Sequence, residues 1–481
     1  MIVPRNGGKL TVLPQEGAPD RDNARGRFVR AMTSDGRVPN VSAGSSGPRG
    51  TISKAVYVVV NGCHENRMDA LLVQRYLGEE CRLEAARDAA SADVVLVQGC
   101  AVTQHMEDES RDLIEHLKKI KRPDAKLIVI GCVAKVKPEF KTGDSDPSIP
   151  LAAIDSLMNR MDPHARRLAV NRLFEQTPEI REFLADRKTK VFAAYTGVSK
   201  HRLLLRLRLA AFETLFSGVH WYKDFIESRI DPCDPKTCAI KISTGCCGEC
   251  SYCSVRLSRG AVRSKTPEEV LAEFQRGLDQ GYQHFAFIGT DIGDYGKDIG
   301  LDLIDLLRRV VALPAPFRLK LRNLNPRWLI ARCDEFCDVL QSGKIIFAQV
   351  AIQSGNDRIL GLMQRGYRAG DLMKAVATVR RRCPSIVLRT QIIAGFPTET
   401  EEEFRDSVAV IDSGLFDYAD FFRYTPRAHT PAARIGPDVP FEAIMRRYRT
   451  LFMKVLFKHP LRKLSAARRM RSVPLEQGAP R

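Results

Sequence analysis

The chain has 481 residues, a formal net charge of +18 at pH 7, 13 cysteines and 44% hydrophobic residues. This length allows two or three domains with substantial cores. The sequence shows no secretory signal peptide, no apolar stretch long enough to span a bilayer and no disulfide framework of the secreted type. We therefore expect a cytoplasmic protein without a transmembrane segment.

Much of the positive charge lies at the two ends of the chain. Residues 1–54 carry nine Lys and Arg against four Asp and Glu, and residues 441–481 carry eleven against two. Basic ends can hold a polyanion through counterion release, although they also occur as idle solvated tails. Residues 1–52, which are rich in Gly, Pro, Arg and Ser, are predicted to be a flexible basic extension.

Residues 53–138 are predicted to form an open α/β sheet domain. The apolar, β-branched runs in this segment are short and continuous, as in parallel strands buried on both faces, and helical patterns separate them. The predicted strands are 55–61, 93–98 and 126–131, and the predicted helices are 67–79 and 106–119.

Each of these three strands stops at a Gly-Cys pair, which places Cys63, Cys100 and Cys132 in the same structural context. The carboxyl ends of parallel strands meet at one edge of a sheet, and a preceding glycine lets the backbone approach a bulky ligand. One such cysteine would usually be a small buried hydrophobe, but three favour an iron-sulfur cluster held by three thiolates. We therefore predict a metal centre at this edge.

Residues 139–236 are predicted to be a helical insertion. Leucine and arginine interleave over residues 200–212 at spacings that permit an amphipathic helix. Such a helix could cap the core, bind a partner or touch a membrane surface. Packing against its neighbours is the interpretation that we favour.

Residues 237–435 are predicted to form a partial (β/α)6 barrel, because strand and helix patterns alternate along them as in right-handed βα units. The chemistry of such a barrel lies at the carboxyl ends of its strands. The predicted strands are 239–243, 284–289, 317–323, 345–352, 386–394 and 418–424.

Directly after the first of these strands comes a compact Cys-x3-Cys-x2-Cys loop formed by Cys246, Cys250 and Cys253. Three thiolates can hold one face of a 4Fe-4S cluster and leave a fourth iron position open. In a site of that kind, the amino and carboxylate groups of S-adenosylmethionine can chelate the exposed iron, and an electron from the cluster can break the carbon-sulfur bond. The loop therefore indicates radical chemistry.

Structural zinc is the alternative for this loop. Zinc usually takes four ligands, often in two short pairs, and Cys233 and Cys238 upstream could contribute to such a site. Cys247 is interpreted as a non-ligand because it directly follows Cys246. Since the three-cysteine loop has no obvious fourth partner at the right spacing, a cluster is favoured over zinc.

The motifs taken together resemble the radical S-adenosylmethionine methylthiotransferases over residues 56–137 and 240–435. Segments 244–260 and 289–298 look most like the branch that modifies threonylcarbamoyladenosine in transfer RNA. The matching segments are Asn61-Gly-Cys63-His-Glu-Asn66, Gln98-Gly-Cys100-Ala-Val-Thr103, Gly131-Cys132-Val-Ala, Thr244 to Gly260, Gly289 to Asp298, Gln353-Ser-Gly-Asn-Asp357, Met363-Gln-Arg-Gly-Tyr367, Gly395-Phe-Pro-Thr-Glu-Thr400 and Tyr424 to Pro431.

The resemblance implies two 4Fe-4S clusters and S-adenosylmethionine as cofactors. The cluster on Cys246, Cys250 and Cys253 would bind and cleave S-adenosylmethionine, and the cluster on the other three cysteines would present or donate sulfur. Cofactor contacts implied by the resemblance are Tyr252, Gly289, Asp291, Gln353, Ser354 and Gly395. Plain structural roles stand beside these: turns for the glycines, packing for Tyr252 and a helix cap for Asp291.

Residues 436–481 read as a basic C-terminal helix and tail, with no evident RNA-binding β-barrel of the kind in which family members normally end. The resemblance nevertheless predicts methylthiolation of a transfer-RNA adenosine derivative of the threonylcarbamoyladenosine type. It also implies a sulfur donor and a reducing electron-transfer protein such as flavodoxin or ferredoxin. Two alternatives stay open: the same chemistry on a peptide, protein side chain or small metabolite, and a metal-stabilised RNA-binding protein without catalysis.

Overall fold

A computed structural model describes residues 54–62, 64–140, 180, 183, 237–427 and 429–458. The predicted extension (1–52), nearly all of the predicted insertion, Cys63, Cys233 and the tail beyond residue 458 lie outside the described residues. Within them, no helix combines the length and the apolar composition needed to cross a membrane. The eleven described cysteines form no disulfide with one another.

The N-terminal part of the described chain is a four-stranded parallel sheet with the order β2-β1-β3-β4. Strand β3 is buried along its whole length, which explains its continuous apolar run. The short strand β2 has no counterpart among the predicted elements. The strands are β1 (Ala55–Val60), β2 (Glu84–Ala85), β3 (Val94–Gly99) and β4 (Lys126–Gly131), and the helices are α1 (His64–Glu79), α2 (Gln104–Ile120) and α3 (Cys132–Val136).

Four residues of the predicted insertion are described, Glu139, Phe140, Ile180 and Phe183, and the last three pack on this first sheet domain. Ile180 is fully buried in the core formed by β3, β4 and α2. The ring of Phe183 stacks on the His116 ring of α2, with 4.3 Å between the ring centroids. These residues of the insertion therefore pack against the N-terminal sheet domain.

The second part is a six-stranded parallel sheet in which each strand pairs with the next one along the chain. Its first and last strands do not pair with each other, so the barrel is open. The predicted fold class, a parallel-sheet domain followed by a partial (β/α)6 barrel, is confirmed. The strands are β5 (Thr237–Lys241), β8 (His284–Ile288), β9 (Arg318–Leu324), β10 (Ile345–Val350), β11 (Val387–Ala394) and β12 (Tyr418–Arg423).

Helices follow each of the first five barrel strands and bury their apolar faces against the sheet. Two helices follow each of β5, β9 and β10. The helices are α4 (Val255–Arg259), α5 (Pro267–Asp279), α6 (Leu303–Val311), α7 (Pro326–Ala331), α8 (Cys333–Leu340), α9 (Asp357–Leu362), α10 (Ala369–Arg382) and α11 (Glu401–Asp412); two short antiparallel strands, β6 (Ser243–Thr244) and β7 (Arg263–Ser264), close the loop after β5.

The last described helix, α12 (Phe441–Lys458), belongs structurally to the barrel. Leu451 is fully buried in the barrel core, and Arg447 is buried against the Glu399 carboxylate with 3.0 Å between Nη1 and Oε2. Ile444 packs directly against Gly395 at the end of β11. The described part of the basic C-terminal segment is therefore docked on the barrel.

Candidate active site

The three cysteines of the compact loop follow β5 at the carboxyl edge of the barrel. Strands β6 and β7 pair at the base of the loop, and the Cys246 N–H donates to the Gly260 carbonyl at 3.2 Å. Gly245 takes a φ of +77°, and a Cβ at this position would stand 2.0 Å from the Ala261 carbonyl oxygen. Only glycine fits there, so the residue type at this position fixes the backbone conformation at the start of the loop.

The loop brings the sulfur atoms of Cys246 and Cys250 close together. The Sγ atoms of Cys246 and Cys250 both lie within 4 Å of the point where a Cβ of Gly248 would stand, and the Gly248 N–H donates to the Cys246 Sγ at 3.1 Å. The Cys253 N–H closes a turn onto the Cys250 carbonyl at 3.1 Å. Three half-buried thiols on one short loop, with a backbone donor aimed at one sulfur, fit three corners of a 4Fe-4S cluster.

The thiols of Cys246 and Cys253 are not activated by their surroundings. Burial, followed by the charges of Asp294 and Asp291, raises the pKa of Cys246. Burial and the neighbouring Cys250 raise the pKa of Cys253, although backbone N–H groups at the start of α4 act in the opposite direction. Ligation by iron therefore has to displace protons from these thiols.

Neither Cys238 nor Cys247 is placed to be the fourth ligand of a zinc site on the compact loop. Cys238 lies within β5, and its Sγ packs into the barrel core beside Gly277 of α5. Cys247 is exposed, and its backbone N–H donates to the Asp294 carboxylate at 2.6 Å. Both observations favour a three-thiolate site over four-coordinate zinc.

Asp291 lies beside the cysteine loop at the end of β8. Its carboxylate accepts hydrogen bonds from the backbone N–H groups of Gly293 at 3.0 Å and Asn325 at 3.1 Å, so it caps a short 3-10 helix. A carboxylate oxygen of Asp291, one of Asp294 and the Cys246 Sγ lie within 4.8 Å of one another. Burial and the neighbouring Asp294 charge raise the pKa of Asp291 to about 7.

Gly289 and Tyr252, two further predicted cofactor contacts, also border the loop. A Cβ on Gly289 would stand 2.8 Å from the Ser243 Oγ, so the turn after β8 passes close against β6. Tyr252 belongs to the cysteine loop itself, and its ring packs against an apolar cluster that includes Met363 and Phe396. Both residues thus lie at the carboxyl edge of the barrel.

The remaining three predicted contacts follow β10 and β11. Gln353 has a positive φ of +72° and bridges to β11, which marks a strained turn at the strand end. The Ser354 hydroxyl lies 3.4 Å from the Ser407 hydroxyl of α11 and accepts from the Asn356 N–H, so it faces the helix layer. Gly395 has a φ of +79° and donates its N–H to Glu399.

The second set of cysteines lies at the carboxyl edge of the N-terminal sheet. Cys100 follows β3, and Cys132 is the first residue of α3 after β4. A Cβ on Gly62, the residue before Cys63, would stand 2.8 Å from the Cys100 Sγ and 3.3 Å from the Asn66 amide nitrogen. The Cys132 Sγ lies 3.8 Å from the Asn66 side-chain oxygen. Cys100 and Cys132 thus share one edge around Asn66.

A buried ion-pair network joins this edge to the barrel. The Asp69 carboxylate of α1 pairs with Lys241 of β5, at 2.9 Å, and with Arg259 of α4. All three side chains are almost completely shielded from solvent. Burial alone would raise the pKa of Asp69, but Arg259 and Lys241 outweigh burial and hold the pKa below its ordinary value. These two bases flank the compact cysteine loop in sequence, so the network ties the loop to the N-terminal sheet.

We expect Asp69→Asn to reduce the free energy of unfolding by about 3 kcal/mol, since it leaves two buried cations with only the more distant Glu65 carboxylate, 3.7 Å from Lys241 and 3.9 Å from Arg259. Urea unfolding of the variant and the unsubstituted protein, prepared in parallel, measures this loss. Asp108→Asn is the matched control, because Asp108 forms a solvent-accessible pair with Arg111 and a hydrogen bond with Gln104 on the same helix, and it should change stability by less than about 1 kcal/mol. Equal effects of the two variants would contradict a structural role for the buried network.

Glu65 makes a second connection between α1 and the barrel. Its carboxylate accepts hydrogen bonds from the hydroxyls of Thr244 and Thr290, each at 3.2 Å. The Thr290 hydroxyl in turn accepts from the Gly245 N–H at 3.2 Å, at the entrance of the cysteine loop. One helix of the N-terminal sheet thus contacts the β5 and β8 ends of the barrel together.

A third connection runs through Arg427, after β12. Its guanidinium pairs with Glu107 of α2 at 2.7 Å and donates to the Ala101 carbonyl at 2.5 Å. The Ser254 hydroxyl, next to Cys253, donates to the same carbonyl at 3.1 Å. The residue that follows Cys100 is therefore bound by the residue that follows Cys253, which places the two cysteine edges side by side.

Two family models match the chain. One describes the radical SAM superfamily and matches residues 240–411. The other describes an uncharacterized protein family, UPF0004, and matches residues 55–147. The first matched segment covers most of the barrel but ends before β12, and the second includes all four strands of the N-terminal sheet.

Curated relatives match across both segments. A probable threonylcarbamoyladenosine tRNA methylthiotransferase of Archaeoglobus fulgidus is 28% identical over 390 residues, covering 80% of this chain and 79% of the relative. A tRNA-2-methylthio-N(6)-dimethylallyladenosine synthase of Staphylococcus epidermidis is 28% identical over 404 residues, covering 82% and 70%. Among solved structures, the radical S-adenosylmethionine methyltransferase TsrM of Kitasatospora setae matches with a TM-score of 0.47 and 15% identity, over 79% of this chain and 77% of that chain.

Proposed function

We propose that this chain is a radical S-adenosylmethionine methylthiotransferase that inserts sulfur and a methyl group at a C–H bond of a transfer-RNA adenosine derivative, as the matched family models and relatives support. The observation that carries this proposal is the juxtaposition of two cysteine edges, joined through Ala101, Ser254 and the buried Asp69 network. A radical site and a sulfur-supplying site have to face one substrate, and this fold brings their loops together.

The cofactors are S-adenosylmethionine and two 4Fe-4S clusters. When bound, they supply reductive cleavage of a carbon-sulfur bond at one site and sulfur at the other. We assign Cys246, Cys250 and Cys253 to the first cluster and Cys63, Cys100 and Cys132 to the second. Gly245 allows the tight turn that enters the compact loop, and buried salt bridges join the barrel to the N-terminal sheet.

Residues around the compact loop would orient S-adenosylmethionine. Asp291 and Gly289 lie at the end of β8 beside Cys246, and Tyr252 lies within the loop. Gln353 and Gly395 end neighbouring strands on the same barrel edge. The Ser354 hydroxyl is engaged with α11, so its support for the cofactor would come through the shape of the turn after β10.

Transfer RNA is supported as the substrate by the names of the relatives and by the basic charge of this chain. Relatives at 27–28% identity are named for threonylcarbamoyladenosine and others for dimethylallyladenosine. The net charge of +18 would attract a polyanion through counterion release. Among transfer-RNA substrates, we favour an adenosine of the threonylcarbamoyladenosine type. We further propose that the enzyme works in a reducing cytoplasm with a flavodoxin- or ferredoxin-like electron donor and a separate sulfur donor.

The test compares transfer-RNA nucleosides from a gene-deletion strain and its parent by mass spectrometry. We expect one methylthiolated adenosine derivative to disappear on deletion and its unmethylthiolated precursor to accumulate. Re-expression of the unsubstituted gene should restore the product. An unchanged nucleoside profile would remove transfer RNA as the substrate and direct the search to peptides, protein side chains or small metabolites.

A further inference from the structure

One buried arginine contacts a sulfur of the compact loop from outside that loop. Arg365 lies in the turn between α9 and α10, where Gln364 and Gly366 both have positive φ values, +55° and +71°. The turn is docked on the cysteine loop: the Ser251 N–H donates to the Met363 carbonyl at 3.1 Å. The position of Arg365 is therefore defined by the backbone of both segments.

The guanidinium of Arg365 is held in a single orientation. Its Nη1 donates to the Cys250 Sγ at 3.2 Å, and its Nη2 donates to the Ala351 carbonyl at 2.7 Å. Its Nε donates to the Tyr367 hydroxyl at 3.2 Å, and that hydroxyl donates to the Ile352 carbonyl at 2.6 Å. Only 6% of Arg365 is exposed, so solvent contributes little to stabilising its charge.

No carboxylate of the described residues lies within ion-pair distance of Arg365. Other buried arginines at this end of the molecule are each matched by an acid: Arg259 by Asp69, and Arg427 by Glu107. A buried cation without a counter-charge is costly, and a neutral thiol does not offset it. The anion that fits beside Arg365 is a thiolate, which Cys250 becomes when it binds iron.

We propose that Arg365 tunes the compact cluster by raising its reduction potential through the hydrogen bond and the positive charge that it presents to the Cys250 sulfur. An added electron makes a cluster more negative, and N–H donors and cations beside the sulfurs stabilise that reduced form. Arg365 thereby makes the cluster easier to reduce by an external electron donor. This inference rests on the proposed cluster at Cys246, Cys250 and Cys253, and not on the identity of the substrate.

The test is a redox titration monitored by electron paramagnetic resonance on reconstituted full-length protein. Alanine at Cys63, Cys100 and Cys132 leaves one cluster to be observed. In this background we expect Arg365→Gln to lower the midpoint potential, with at least a tenfold smaller ratio of reduced to oxidised cluster at fixed potential, which is about 59 mV for one electron. Arg368→Gln is the matched control, because Arg368 is exposed near the same turn and should leave the potential unchanged.

Two milder variants provide the test if Arg365→Gln does not retain iron. Arg365→Lys preserves the charge but not the planar set of N–H donors, and Tyr367→Phe removes the hydroxyl that orients the guanidinium. Each should lower the midpoint potential relative to the parent, by less than is expected for Arg365→Gln. Potentials equal to that of the parent in every variant that loads iron would overturn the proposal. Because the readout needs no RNA, it is independent of the nucleoside comparison.

Discussion

Alanine at Cys246, Cys250 or Cys253 is expected to abolish cleavage of S-adenosylmethionine. Each cysteine would coordinate one of the three protein-bound irons of the cluster. Two remaining thiolates would not retain a 4Fe-4S cluster that also keeps one iron open for the cofactor. The iron content of anaerobically reconstituted protein should fall from about eight to about four atoms per chain, the content of one 4Fe-4S cluster. Iron analysis and an assay for 5′-deoxyadenosine measure both effects.

Cys247→Ala is the control for this series. Cys247 adjoins Cys246 in the same loop, but it is exposed, and it contributes its backbone N–H to Asp294. The variant should therefore keep the full iron content and normal cleavage of the cofactor. Persistent 5′-deoxyadenosine formation by the Cys246, Cys250 and Cys253 variants would show that the radical site lies elsewhere.

Alanine at Cys63, Cys100 or Cys132 is expected to separate the two halves of the reaction. The variants should lose about four irons per chain, since the second cluster would lack a corner. They should still form 5′-deoxyadenosine, because the compact loop is built by the barrel and bound by its own hydrogen bonds. Methylthiolated nucleoside should fall below detection, because the sulfur-supplying site is lost.

Cys81→Ala is the matched control in the N-terminal domain. Cys81 lies just after α1 and is partly buried. It packs in the apolar cluster between α1 and the sheet, and it does not follow the carboxyl end of a strand as Cys100 and Cys132 do. It should retain both the iron content and the product. Full methylthiolation by the Cys100 or Cys132 variants would refute the second cluster, and loss of cofactor cleavage would refute the separation of roles.

The cysteine loops were predictable because their information is local. The spacing of Cys246, Cys250 and Cys253 defines the loop without reference to the fold. The Gly-Cys pairs after β1, β3 and β4 required one more step, namely that parallel strands present their carboxyl ends at a common edge. The structure places Cys100 and Cys132 at that edge, while Cys63 lies outside the described residues.

Other parts of the site carried a weaker signal or none. Arg365 belongs to the segment Met363 to Tyr367, which matched the family, yet nothing in that segment indicates a contact with a sulfur more than a hundred residues earlier. Asp69 and Lys241 are 172 residues apart, and neither position differs from an ordinary surface charge in the sequence. Glu107 and Arg427 form a pair of the same kind. Long-range ion pairs leave no periodic pattern that a single sequence can reveal.

The amino-acid sequence by itself determined the strand and helix types and the sheet edge at which the described cysteines Cys100, Cys132, Cys246, Cys250 and Cys253 lie, because hydrophobic periodicity and cysteine spacing are properties of short segments. Only the tertiary structure decided that α1 joins the two cysteine edges through Asp69, that Ser354 faces α11 and that α12 packs on the barrel beside Gly395. These outcomes depend on which distant segments share a buried space, where an unpaired charge or polar group is costly and therefore finds a partner.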